Sequence, residues 1–554
     1  MVTLDSWTCW SFKSMNKRTG APDDRWPPPS ENRGVVMSAL DWIVVGGYFF
    51  VMLAIGVWSK TRVENVADFF TARGRVPWWL SGISHHMSGY SAIMFVTFAA
   101  VAYDYGVTVY FWWPLTIGLG IGIGAFLFAP RWNRLRAKHG VNSPLAYLAV
   151  RYNLPTQQVL AYSGAALKVV DIAAKWVAIA VLLQGFADIP LVWGIGLTGI
   201  CTMFYVTFGG LWADVLTDFG QFVIQAVAGF AMLFAVMAHL GGVSSLWTMW
   251  GDLPEGHSDP VAGTVTTGLI MAFLLVKTFE YNGGMWNLAQ RYMSAPSGSR
   301  ARKSALLSSA LWLVWPFILF VPMIAAPLIV PGLDNGEESY IKLAQELLPT
   351  GLIGLLLAGF FSHTMAMVAS DSNVITAVIT RDLAPVLVPR VRRMTQRAQL
   401  LFARVTTVAF VTASMTLALF SDPDGFIMTV VVSIVAATMG PISIPLMLGL
   451  LPWFKRTGPL AAITSWAGGL AVWAYLYWGL GNASEAVTVG FPVLTSLVLY
   501  VGIGLLRPEA DAERAALVDS LGSDPTDEER IALEREFLAD PDKGGEPEKT
   551  TASR

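Results

Sequence analysis

Apolar stretches of membrane-spanning length recur along most of this chain, and few architectures accommodate that. Taking about 20 residues as the length that crosses a bilayer, we count about thirteen of them. They lie near 38–59, 78–103, 109–131, 156–186, 190–208, 212–240, 265–291, 304–330, 351–380, 399–420, 426–451, 458–479 and 487–506. Only 14% of the 554 residues are charged and 54% are hydrophobic, whereas soluble domains carry roughly 25% charged residues. The sequence therefore predicts an all-α polytopic membrane protein.

Loop charges test that count independently, because cytoplasmic loops accumulate Lys and Arg. Alternate connections are basic: Lys60, Arg62, Arg73 and Arg75; Arg131, Arg134, Arg136 and Lys138; Arg291, Arg300, Arg302 and Lys303; Arg390, Arg392, Arg393 and Arg397; Lys455 and Arg456; then Arg507. Intervening loops such as GDLPEGHSDP are acidic or neutral. This pattern puts the start of the first helix outside and the tail in the cytoplasm, in a cell membrane. The overall net charge of -2 gives no reason to expect a nucleic-acid partner. Two cysteines, Cys9 and Cys201, exclude a disulfide framework and a thiolate metal cluster.

Three segments follow. Residues 1–36 hold Pro27-Pro28-Pro29 and no apolar run, so a disordered leader is expected, and Met37 reads as the natural start of translation. Residues 37–507 form the transmembrane domain, and 508–554 an acidic tail. In that tail Thr526 and Glu529 have capping-box spacing ahead of IALEREFL. Asn482-Ala483-Ser484 fits a glycosylation acceptor and is read as chance.

Chemistry concentrates in Gly351–Asp382. Its second half carries His363, Thr364, Ser370, Asp371, Ser372 and Asn373. An ionisable group at membrane depth costs about 2.5 to 3.5 kcal/mol on insertion scales, so such residues face a bundle interior or a wet path. Elsewhere Ser88-Gly89 interrupts one span and Asn282-Gly283-Gly284 another, each opening a block of about five spans. Paired broken helices are the sequence pointer to an inverted-repeat transporter with its site at the breaks; glycines that merely allow close helix packing are the alternative. Lys168, Asp171 and Lys175 are spaced to pair along one helix face, as are Lys277 and Glu280. Trp112 and Trp113 read as interface anchors, with a place in the cavity lining as the alternative.

Several motifs resemble the sodium:solute symporter family: ADFFTARGRVPWWLSGIS entering the first broken helix, YVTFGGLWADVLTDFGQ, AQRYMSAPSGSRARKSAL, NVITAVITRDL with Asn373 nine residues before Asp382, and GPISIPLMLGLLPWFKRTGPLAA. They cover about 38–506 in the family's order. The resemblance implies a leucine-transporter-like five-plus-five inverted repeat, with one extra helix before it and two after. It also implies a monovalent cation, Na+, held between the first and eighth repeat helices by backbone carbonyls of Met87, Tyr90 and His363. The two hydroxyl positions of that site fall on Ala366 and Met367, which cannot donate oxygen to sodium. Thr364, Ser370 and Asp371 are the expected substitutes, and Asp218 matches an aspartate near a second cation site; Asp214 reads as a salt-bridged neighbour. Tyr281 matches an aromatic that closes over substrate, and Asn282 stands where sugar-carrying relatives have Trp, which argues against a hexose. Ser88, Gly89, Ser91, Tyr281 and Asn282 are the expected solute contacts.

The expectation is a secondary active transporter importing a small polar organic solute by alternating access, coupled to Na+, with no organic cofactor and no enzymatic role. The alternative driving force is H+, or none in a uniporter, with His85, His86, His363 and Asp371 as a relay; those histidines otherwise serve by bonding carbonyls freed at the breaks. A solute-sensing membrane receptor is the second alternative.

Overall fold

In the computed structural model, residues 37–421, 437–480, 484–526, 528 and 529 are described. The expectations for 1–36, for Asn482 and for a helix over IALEREFL lie outside them. No named strand occurs among the described residues, whose order is almost wholly helical, with a single isolated bridge between Ala262 and Val265. The main helices are α1 (Ala39–Ser59), α2 (Trp78–Met87), α3 (Thr97–Tyr105), α4 (Pro114–Leu127), α5 (Ala129–His139), α6 (Leu154–Ala187), α7 (Leu191–His239) and α8 (Thr267–Phe279). They continue as α9 (Asn287–Ser294), α10 (Gly298–Ile329), α11 (Leu352–Ala377), α12 (Gln396–Leu419), α13 (Ala437–Leu448), α14 (Pro459–Ala474) and α15 (Glu485–Leu506), and the tail supplies α16 (Ala512–Ser520).

Among the described residues eight helices are long and apolar enough to cross a membrane by length and composition. The remaining expected spans are helices whose chemistry hides them from that criterion. α7 runs 49 residues and holds two spans joined at Gly210, where φ is 51° and an added Cβ would stand 2.5 Å from the Phe69 carbonyl oxygen. α6 has 34 residues but carries Lys168, Asp171 and Lys175. α2 and α3 form one interrupted span and α8 and α9 another, while α13 is described only from Ala437.

Burial orders these helices. In the most apolar window of α11, 89% is buried, against 28% in α14 and in α15. α11 is therefore the central post, packed most extensively against α7 and also against α1, α6 and α12. The outer helices turn Phe50, Val57, Phe234, Leu401 and Val498 outward, as a lipid-facing surface requires. Trp112 and Trp113 correct the expectation of interface anchors: both are buried, in an aromatic cluster with Phe98 and Phe273.

One acid ties the first helix to the central post. Asp41 completes a capping box with Ser38 on α1 and also accepts the Gly351 and Gly354 amides, each at 2.8 Å, at the start of α11. Capping bonds are worth about 1 kcal/mol each, so Asp41→Ala is expected to cost roughly 1–3 kcal/mol, read as a lower midpoint in thermal unfolding of the detergent-solubilised protein.

The acidic tail folds back on the basic loops. Asp524 meets Arg134 of α5 at 2.8 Å and the Gly298 amide at 3.2 Å, Lys455 meets Asp519 at 2.9 Å, and Leu517, Val518 and Leu521 are buried. The expected capping box forms: the Thr526 amide donates to Glu529 at 2.7 Å and holds that carboxyl below the usual range, and the Glu529 amide returns a bond to the Thr526 hydroxyl.

Candidate functional site

Both expected breaks are present. α2 ends at Met87, and the chain crosses Ser88–Ser91 before a 3-10 turn at Ala92–Phe95 and α3. α8 ends in a π-helical turn over Glu280–Gly284, with Gly283 at φ 135° and Trp286 at φ 34°, before α9. A left-handed tryptophan is uncommon; its ring lies where a side chain at Gly164 of α6 would collide, 2.3 Å from the added Cβ. The breaks meet directly: the Tyr281 hydroxyl donates to the Gly89 carbonyl at 2.6 Å, and the Asn287 amide donates to the Ser88 carbonyl at 3.2 Å. A Cβ at Gly89 would sit 3.0 Å from the Tyr281 ring and 2.9 Å from Trp312, so glycine permits this approach.

Around the breaks lie three buried polar clusters. In the first, Arg291 of α9 points its Nη2 at Asp214 (2.6 Å) and Ser88 (3.0 Å) and also bonds Ser370, while Asp218 stands 3.6 Å away. Ser84 donates to Asp218 Oδ2 at 2.5 Å, and Ser88 and Ser370 share a 2.7 Å bond. Every one of these side chains is fully buried. One guanidinium faces two carboxylates, and Asp218 Oδ1 has no hydrogen-bond partner among the described residues, nor do Arg291 Nε and Nη1.

The second cluster is a closed ring of charge. Lys168 reaches Asp171 at 3.1 Å and Asp371 at 3.0 Å; Lys175 reaches the same two carboxylates at 2.8 and 2.9 Å. The pairs within α6 follow the spacing expected of them, and Asp371 joins from α11. Its carboxylate is thus turned to two lysines rather than to Ser88 and Ser370. The Lys277–Glu280 pair also forms, at 2.6 Å.

The third cluster holds the aromatic polar groups. The Tyr90 hydroxyl meets His86 Nε2 at 2.8 Å and accepts from Gln225 at 2.8 Å, with the His363 ring 4.7 Å from the Tyr90 ring. His85 bonds instead to Ser308 at 2.8 Å. Each of the two histidines before the break thus bonds a hydroxyl, and among the described residues no hydrogen bond joins either to Asp371.

The expected solute contacts divide. Ser88, Gly89 and Tyr281 are brought together. Ser91 caps its own 3-10 turn through the Ile93 amide. Asn282 turns away: its amide donates to the Gly120 and Thr278 carbonyls, both at 2.8 Å. A Cβ at Gly124 would stand 1.9 Å from that amide, so Gly124→Ala is expected to cost about 1–3 kcal/mol by overpacking, measured as a lowered midpoint of thermal unfolding. Of the expected cation ligands, Met87, Tyr90 and His363 sit at the first break and the facing turn of α11, where the Ala92 amide donates to Thr364 at 3.2 Å. Asp218 and Ser370 lie in the arginine cluster. Sequence reading counted Arg291 among loop charges, yet it is fully buried; two aspartates one helical turn apart on an apolar helix were the signal that a cation had to face them.

This arrangement of broken helices matches known proteins. The sequence model of the sodium:solute symporter family covers residues 69–468. The sodium/glucose cotransporter of Vibrio parahaemolyticus is 24% identical over 381 residues, 63% of this chain and 69% of that protein. The sodium/sialic acid symporter SiaT of Proteus mirabilis is 23% identical over 62% of this chain and 71% of its own length, and the human sodium/iodide cotransporter 24% identical over 87% and 79%. A solved Na+-coupled sialic acid symporter in a substrate-bound outward-open state superposes with a TM-score of 0.72 at 18% identity, over 86% of this chain and 99% of that one, which gives the same leucine-transporter-like fold. These relatives are transporters, not enzymes. With a fold, a pair of breaks and a family match that extends over most of its length, the chain belongs to the sodium:solute symporter family.

Proposed function

We propose that this protein is a secondary active carrier that imports a small polar organic solute by alternating access, together with one sodium ion per cycle. The ion would be held by Asp218 with Ser84, Ser88, Ser370 and Asp214. The observation that carries this reading is a charge count: Arg291 neutralises one of two buried carboxylates, and the other keeps an unpartnered oxygen. Leaving a buried charge unpaired is costly, and the surrounding hydroxyl and carboxylate oxygens are the hard donors that a small alkali cation takes. Asp371 is already neutralised by Lys168 and Lys175 and is left out of the ion's ligands.

Solute would bind between the breaks at Ser88-Gly89 and Tyr281. Cation binding that favours one orientation of the breaks tightens solute binding, and solute tightens the cation by the same factor. The basic loops support a reading with the tail in the cytoplasm and the start of α1 outside the cell. A proton on Asp218 would balance the same charge, and Ala366 and Met367 at the usual hydroxyl positions favour that second reading.

Reconstituted protein separates the two. Uptake of radiolabelled amino acids, carboxylates and hexoses is followed in proteoliposomes under a sodium gradient at equal pH, or a pH gradient without sodium. Accumulation with sodium alone is expected; accumulation only with the pH gradient would replace sodium by a proton.

A further inference from the structure

Four basic side chains that take no part in the buried clusters gather around the link between the two spans of α7. That link, Phe208-Gly209-Gly210-Leu211-Trp212, carries no Lys or Arg of its own. Lys60, just past α1, stands 5.6 Å from the centre of the Phe208 ring, and Arg404 of α12 stands 5.9 Å from the same ring. Arg62 lies over Trp58 at 4.7 Å and over Trp212 at 5.3 Å. Beside it opens a cleft of ≈ 390 Å³ lined by Arg62, Arg75, Trp212, Glu64 and Asp68.

These cations lack counter-charges. The two acids of the cleft are held by Arg73, which meets Asp68 at 3.0 Å and Glu64 at 3.9 Å. Among the described residues Lys60, Arg62, Arg75 and Arg404 form no ion pair. Arg404 spends one nitrogen on the Phe208 carbonyl at 3.5 Å, while its buried Nε has no partner among the described residues. A cation over an aromatic ring keeps its full charge, and like charges collected in one place repel, so an anion seated among them is attracted by all.

The surface beside the collar identifies that anion. α7 packs against both α1 and α12, and Trp58, Phe204, Leu401 and Val405 are exposed on these three helices. Only 33% of the most apolar window is buried in α1, and the same share in α12, so this face meets lipid, and the basic loops read its collar end as cytoplasmic. An anion tethered to acyl chains on that face reaches the collar at high effective concentration, whereas a free one comes from dilute solution. A zwitterionic phospholipid brings its own ammonium group and leaves the collar unbalanced; a lipid of net negative charge does not. Basic pockets between helices at the cytoplasmic surface take such head groups.

We propose that Lys60, Arg62, Arg75 and Arg404 bind the phosphate of an anionic phospholipid whose acyl chains lie on the exposed face of α1, α7 and α12. The site is separate from the breaks and does not depend on what is carried. The probe is phosphatidylglycerol, offered to the delipidated full chain in a neutral detergent, with bound lipid counted by native mass spectrometry. Retention roughly tenfold or more above that of phosphatidylcholine is expected. Lys60→Gln with Arg404→Gln is expected to weaken it by roughly tenfold or more, at an unchanged elution profile. Arg62→Gln with Arg75→Gln is the second variant where the first elutes as aggregate. Arg300→Gln with Lys303→Gln removes the same charge from exposed positions on the same side and is expected to change nothing. Equal retention of the two lipids, an equal loss in that control, or no loss in either collar variant overturns the site. Glycerol 1-phosphate, a head group without chains, is expected not to compete at equal concentration; competition there would assign the collar to a soluble phosphate ester and overturn the lipid.

Discussion

Asp218→Asn is expected to abolish the response to sodium while leaving a folded protein. Asparagine keeps the shape of the side chain and an oxygen for the Ser84 hydroxyl, now 2.5 Å from the carboxylate. It removes the one charge that Arg291 does not balance, and the 2.6 Å pair of Arg291 with Asp214 remains as a neutral unit. Two readouts follow from that difference. An ion that binds only the folded state raises apparent stability by mass action, about 2.7 kcal/mol at 100 times its Kd. Sodium chloride should therefore raise the melting temperature of the wild type above that in choline chloride and have no effect on the variant. Sodium-driven uptake should fall on the order of 10- to 100-fold, the range of ordinary coupling energies. A variant that responds to sodium like the wild type places the ion elsewhere.

Arg291→Met should do more damage, because it strips from two buried carboxylates the cation that faces them both. Removing one partner of a buried pair costs about 3–5 kcal/mol, and here Ser88 and Ser370 lose a donor as well. The expected result is a large fall in folded, monodisperse protein by size-exclusion chromatography. Asp214→Asn combined with Arg291→Met returns the cluster to the charge it has in the wild type, with Asp218 alone ionised. That double variant is expected to recover most of the folded fraction. A single variant as stable as the wild type would mean that one of the aspartates is neutral in the resting state.

Much of the scaffold was legible in residue order because hydropathy and helix breakers act locally. The run GLIGLLLAGFF followed by buried polar residues identified the central helix, and Ser88-Gly89 and Asn282-Gly283-Gly284 marked both breaks, since glycine loosens a helix where neighbours come close. Lys168, Asp171 and Lys175 announced their pairing by helical spacing. What escaped was pairing across the bundle. Asp371 is 196 positions from Lys175 in sequence, and no periodicity links them, so the aspartate was assigned to the cation site. Arg291 follows the second break within a run rich in loop charges, and the packing of α9 against α2 and α5 carries it inside. Asn282 was assigned to solute because it sits at the break; its direction depends on Gly120 and Gly124 of α4, which leave room for its amide.

A single sodium ion at Asp218 would bridge the first break, α7 and α11. Equilibrium binding of radiolabelled sodium to the purified full-length protein at fixed pH tests it without knowledge of the solute. One saturable ion per chain, lost in Asp218→Asn and retained in Asp371→Asn, is the predicted result. No saturable binding in the wild type, or binding that Asp218→Asn leaves intact, would contradict it.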